Sequence, residues 1–148
     1  MAFSFIFIIL AANQVTLTNK AYWITMKNHG HIELNWQDNV LYVKVIGPFN
    51  IEGAAEAARI YKQEIQNKVV SPFSVIEYLD ENSLGSPEVM KNVSVMWKLL
   101  AEHNCSALAL VYANVVQRML SDKYLPSFGK AFDNLEDAEI WIKNNNKR

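Results

Sequence analysis

Hydrophobic and polar positions fall into regular patterns from His31 onward. "HIELNW" and "VLYVKVI" alternate with period two and predict strands near 31–36 and 40–46, with Gln37-Asp38-Asn39 turning between them as a hairpin. Leu41, Val43 and Val45 alternate with Tyr42, Lys44 and Ile46, so one face of the second strand is buried, and Gly47-Pro48 stops it. Asn50 is a helix cap, and Ile51, Ala54, Ala58, Tyr61 and Ile65 recur at spacings of three and four, predicting a helix over 51–67 with an apolar stripe. "FSVIEYL" predicts a strand over 73–79. Ser86-Pro87-Glu88 then supplies a capping hydroxyl, a proline at the first helical position and an acid in the first turn, opening a helix over 87–103. Its apolar side is Val89, Val93, Met96, Trp97 and Leu100. "SALALVY" predicts a short continuous strand over 106–112. Asn114 caps a helix over 115–123 whose apolar residues are Val115, Val116, Met119 and Leu120. "KAFDN" supplies an edge strand near 130–133, and Asn134 caps a last helix over 135–144 with Leu135, Ala138, Trp141 and Ile142 facing inward.

The order ββαβαβαβα implies one α/β domain. Its mixed, mostly parallel sheet has about five strands, with right-handed crossovers and helices packed against it. The domain spans 31–144 of 148 residues, a length suited to a single core, and 51% hydrophobic with 20% charged residues is a globular composition. The formal charge of -1 argues against a nucleic-acid partner, which calls for a basic surplus or stripe. Residues 145–148 form a short basic tail.

Met1 to Ala12, "MAFSFIFIILAA", opens an apolar extension over 1–25. The run falls short of the ~20 apolar residues that span a bilayer, so no integral span is expected. A signal core would place the protein outside the cell, but no Lys or Arg precedes it. The alternative is that Met26 is the natural start and the preceding residues are read-through, which leaves a cytoplasmic protein. Cys105 stands alone and precedes an apolar strand, so it reads as a small buried hydrophobe. The sequons at Asn92 and Asn104 matter only in a glycosylating compartment.

Candidate chemistry centres on "LDENSLGSPEVM". Asp80, Glu81, Asn82, Ser83, Gly85 and Ser86 form a polar loop between strand and helix and are the expected partner- or ligand-binding residues. Ser83 and Ser86 are candidate phosphorylation sites; Ser83 reads as the more exposed, because Ser86 has the capping duty. A hydrolase using Ser86 needs a base within reach, and none of His29, His31 or His103 is tied to it by any motif. Asp80 with Glu81 could serve acid–base work, but adjacent loop residues point apart. "HGH" at His29–His31 lacks a third ligand, so no metal is expected. No glycine-rich phosphate loop occurs, and no cofactor is expected. Met96, Trp97 and Trp141 are candidate linings of an apolar cavity, or simply core.

"LYVKVIGPFNIEGAAEAARIYKQEI", "FSVIEYLDENSLGSPEVM", "CSALALVYAN" and "KAFDNLEDAEIWIK" follow one another as in the SpoIIAA-like branch of the STAS superfamily (sulfate transporter and anti-sigma-factor antagonist domains), which the chain resembles over about Ile32 to Lys143. The resemblance implies a non-enzymatic regulatory module that docks another protein near this strand, loop and helix. Phosphorylatable members carry Asp-Ser-(Ser/Thr)-Gly at the helix start. This chain departs from it with Asp80-Glu81-Asn82-Ser83-Leu84-Gly85-Ser86. The expected function is protein binding through Asp80 to Val93. The alternative is a carrier or sensor of a small apolar ligand or lipid held between helices and sheet. A homo-oligomer is left open.

Overall fold

The computed structural model describes residues 28–68 and 72–146. The 1–25 extension and its alternatives lie outside the described residues. Strands β1 (His31–Gln37) and β2 (Val40–Ile46) form the hairpin, followed by α1 (Ile51–Asn67), β3 (Phe73–Leu79), α2 (Pro87–Glu102), β4 (Cys105–Val111), α3 (Val115–Tyr124), β5 (Gly129–Phe132) and α4 (Leu135–Asn145). The two-residue hairpin turn sets Asp38 at φ 53, a left-handed conformation that Asp and Asn tolerate.

The sheet runs in sequence order, β1-β2-β3-β4-β5. Only β1 and β2 pair antiparallel; the remaining neighbours are parallel. Each new parallel strand is added on the same side of its predecessor. Right-handed crossovers then carry α1, α2 and α3 over one face, and α4, after the edge strand, closes the other. Two cores follow. Leu41, Val43, Phe73, Val75, Leu108 and Leu110 pack under α1 and α2 with Tyr61, Ile65, Met96, Trp97 and Leu100. Ile76, Ala107, Ala109 and Val111 pack under α4 with Ala138 and Ile142. Burying each such Leu, Ile or Val contributes about 1.5–3 kcal/mol before chain entropy is set against it. Between Phe73/Ser74 the pairing with β4 slips, from Cys105 to Ala107, so both Cys105 and Leu108 face the first core.

The segments expected from the sequence are present, with the last two strands beginning one residue earlier. The expected inward faces fail in two places, at Ile51 and Leu135, and α3 turns its apolar residues outward. On α3, Val115, Val116 and Met119 are 70%, 53% and 66% exposed, whereas Gln117 and Ser121 are buried. Gln117 faces inward because its amide is needed there: Nε2 donates to the Asp80 carbonyl at 2.7 Å and Oε1 accepts from Ala113 N at 2.7 Å. Ser121, one turn on, satisfies its hydroxyl by donating to the Gln117 carbonyl. Ile51 and Leu135, each the first residue of its helix, are also exposed.

Candidate functional site

The loop after β3 is fastened to the end of β2. Asp80 N donates to the Val45 carbonyl at 3.0 Å, and the Gly47 amide donates to Asp80 Oδ1 at 3.2 Å. The Ser83 hydroxyl lies 2.5 Å from both the Val45 carbonyl and Asp80 Oδ1, so its single proton is shared between two acceptors. Phe49 N donates to the Leu84 carbonyl at 3.0 Å, closing the far end. Burial pulls the Asp80 carboxyl upward, but bonds from the Ser83 hydroxyl and from backbone amides of Gly47, Asn82 and Ser83 outweigh it and hold the group below its ordinary value. Gly47 is required by the close approach: a Cβ there would stand 2.6 Å from Asn82 O and from Ser83 Cα. On its other side the loop is held by α3, through Gln117 and through Asn114 Nδ2 donating to the Glu81 carbonyl at 3.1 Å.

Ser86 caps the helix as expected, but the expected order of exposure of the two serines is reversed. Ser83 is half-buried, its hydroxyl committed to the latch, because Asp80 needs a donor there. Ser86 is exposed and caps α2, its Oγ accepting from Val89 N at 3.3 Å, while Pro87 at the first position has no amide to satisfy. Glu81 and Asn82 are exposed at the crest of the loop, and Gly85 sits where a Cβ would run into the Val89 side chain. Among the described residues, no histidine is hydrogen-bonded to Ser86. The His103 ring lies 2.9 Å from the Leu99 carbonyl at the opposite end of the same helix, and His29 is tied through its backbone N to Asn50 Oδ1.

Behind the loop, between α1, α2 and the sheet, lies a cavity of about 120 Å³. Ala57 and Ala58 leave room on the α1 side, Met96 and Trp97 line the α2 side, and Ser83, Leu84 and Gly85 of the loop form one wall. Trp141 is not part of it. It is carried by α4, which covers the opposite face of the sheet, and packs there against Phe132.

Sequence reasoning passed over Glu77, the carboxylate in this cavity. It is 5% exposed and points from the middle of β3 into the apolar face. Tyr61 Oη donates to Oε1 at 2.9 Å, and Trp97 Nε1 donates to Oε1 and Oε2 at 3.1 and 3.2 Å. Burial pushes its carboxyl up to about 7, against the downward pull of these two donors. Burial also drives the Tyr61 hydroxyl well above its ordinary value and the Cys105 thiol up to about 12, with the Glu77 charge adding to both. Cys105 is thus a buried, protonated thiol. The available signal was an acid in phase with Phe73, Val75 and Leu79, where period two demands an inward residue.

Among the described residues, no group of three His, Cys, Asp or Glu side chains is arranged to hold a metal, and no helix is long and apolar enough to cross a membrane.

No family model matches the chain, and no curated protein matches it. Solved structures do. The protein TM1081, determined by NMR, superposes with a TM-score of 0.59 at 21% identity, covering 74% of this chain and 86% of its own. An anti-sigma factor antagonist from Mycobacterium paratuberculosis matches with a TM-score of 0.59 at 15% identity, over 77% of this chain and 94% of its own. An uncharacterised DUF3478-family protein with a SpoIIAA-like fold, from Shewanella loihica PV-4, matches with a TM-score of 0.51 at 16% identity, over 78% and 94%. The fold is SpoIIAA-like, as the resemblance in the sequence implied.

Proposed function

We propose that this protein is a non-enzymatic regulatory module that docks another protein through the loop and helix from Asp80 to Val93. The SpoIIAA-like fold supports the class, and one structural neighbour is itself an anti-sigma factor antagonist. The observation that carries the surface is the outward apolar side of α3. Val115 and Met119, i and i+4 on one helical stripe, stand exposed on the outer face of the helix whose Asn114 and Gln117 hold the loop, and Leu84 of the loop is itself 38% exposed. A fixed, partly apolar surface with a polar rim of Glu81, Asn82 and Glu88 suits a folded protein partner. It is held by Asp80, Ser83 and Gln117, so a partner meets it with little ordering cost.

Ser86 is the residue through which such docking would be regulated. A phosphate on its exposed hydroxyl would sit at the N-terminus of α2, where the helix dipole and free amides favour negative charge, while adding that charge to the docking face. Ser83 would have to leave the latch to be modified. A protein of this kind works in the cytoplasm. Phosphoproteomics in the native host, with partner binding compared for Ser86→Asp and Ser83→Asp, tests the switch. Phosphate on Ser86 with altered binding supports it; unmodified serines and unchanged binding remove it.

A further inference from the structure

We propose that the cavity between α1, α2 and the sheet is a binding site for a neutral molecule about one aromatic ring in size that carries a single hydroxyl donated to Glu77. This goes beyond protein docking and does not depend on it.

The size follows from the volume. About 120 Å³ is comparable to the engineered cavity of about 150 Å³ that admits benzene, and too small for a lipid chain. The apolar body follows from the walls, which include Val43, Ala57, Ala58, Val93 and Met96. Asn92 joins the lining from α2, and three other polar side chains at its rim are engaged elsewhere. Ser83 is in the latch, Gln117 bonds Asp80 and Ala113, and Ser121 bonds the Gln117 carbonyl.

Glu77 supplies the head-group preference. Its neighbours Tyr61 and Trp97 are both donors, so the carboxyl is arranged as an acceptor. Ionised, as it is above about pH 7, its two oxygens offer about four lone-pair sites, and the three contacts leave Oε2 with room for one more donor. The lining contains no Lys, Arg, His or Asp among the described residues. An ammonium group would meet one acid and otherwise apolar walls, with a large desolvation cost. A neutral hydroxyl completes the set at much lower cost, and a site built for a hydroxyl discriminates against the analogue without it.

The test is an NMR titration of the full chain at pH 8, where the Glu77 carboxyl is ionised, with phenol, benzene and benzylamine, following the indole N–H resonances. Trp36, which donates to Glu64, and Trp141, under α4, are internal controls for Trp97. Phenol is expected to saturate in about the millimolar range and to shift Trp97, with benzene about tenfold weaker. Glu77→Gln should weaken phenol by about tenfold. If that variant does not fold, Ala57→Phe, which fills the cavity from α1, should abolish the phenol shift. Equal binding of benzene and phenol, tighter binding of benzylamine, or a phenol response that survives Ala57→Phe would each overturn the assignment.

Discussion

The indole of Trp97 donates one N–H to both oxygens of the buried Glu77 carboxyl, at 3.1 and 3.2 Å, and so ties α2 to the centre of β3. Burial of that carboxyl carries a pH dependence, which the bond itself reduces. The Glu77 carboxyl is raised from 4.5 to about 7 in the folded protein, so between those values the native state holds a proton that the unfolded chain has lost. Stability from this group is therefore full below about 4.5 and falls as pH rises toward 7. The loss is on the order of 3 kcal/mol at most. Urea unfolding of the wild type at pH 5 and pH 8, set against Glu77→Gln, reads it directly. The variant should lack this fall, and equal slopes in the two proteins would show that Glu77 titrates normally.

The Asp80 latch titrates in the opposite sense. Its carboxyl is held below 3.8, so its contribution is present above that value and is lost as pH falls through the lowered folded value. At neutral pH, Asp80→Ala leaves the Gly47 amide without its acceptor and the Ser83 hydroxyl with the Val45 carbonyl alone, and should cost about 1–3 kcal/mol. Glu81→Ala, one residue along and exposed, should change stability by less than about 0.5 kcal/mol. Chemical denaturation of both variants checks the contrast; equal losses would mean that the latch is not what holds the loop.

Much of this arrangement is readable in the residues themselves. Helix caps at Asn50, Ser86, Asn114 and Asn134 are local features, and all four side chains accept from an amide three residues on. Strand faces followed period two: one face of β2 is buried, that of Leu41, Val43 and Val45, the first two fully and Val45 partly. What periodicity could not supply was the preference of polar groups for particular distant partners. On α3 Val115, Val116 and Met119 face out, because Gln117 has to reach the Asp80 carbonyl, 37 positions away. Glu77 was overlooked for the same reason: the donors that make its burial tolerable, Tyr61 and Trp97, come from two different helices. The separation of Trp141 from Met96 and Trp97 required knowing which helix covers which face.

Gly47→Ala should destabilise the protein by about 1–3 kcal/mol, since the added methyl meets backbone that belongs to the latch and cannot simply rotate away. Limited proteolysis should then cut within residues 81–85 sooner than in the wild type. A variant with unchanged melting and cleavage would show that the loop and β2 have room to separate.

Ser86→Ala removes the acceptor for Val89 N and should cost about 1 kcal/mol by loss of the cap. Ser86→Asp, which retains a capping oxygen and adds charge at a favourable helix end, should stay within about 0.5 kcal/mol of the wild type. Thermal unfolding of the pair separates capping from any effect on binding.

Docking through the loop is tested most directly by a photo-crosslinking residue placed in turn at Leu84, Met119 and Ile60 of the full chain in its native host. Ile60 is exposed on α1 and serves as the control. The proposed surface should give one shared protein adduct from positions 84 and 119, absent from position 60 and lost when Asp80→Ala releases the loop. No adduct at 84 or 119, or the same adduct from all three positions, would contradict it.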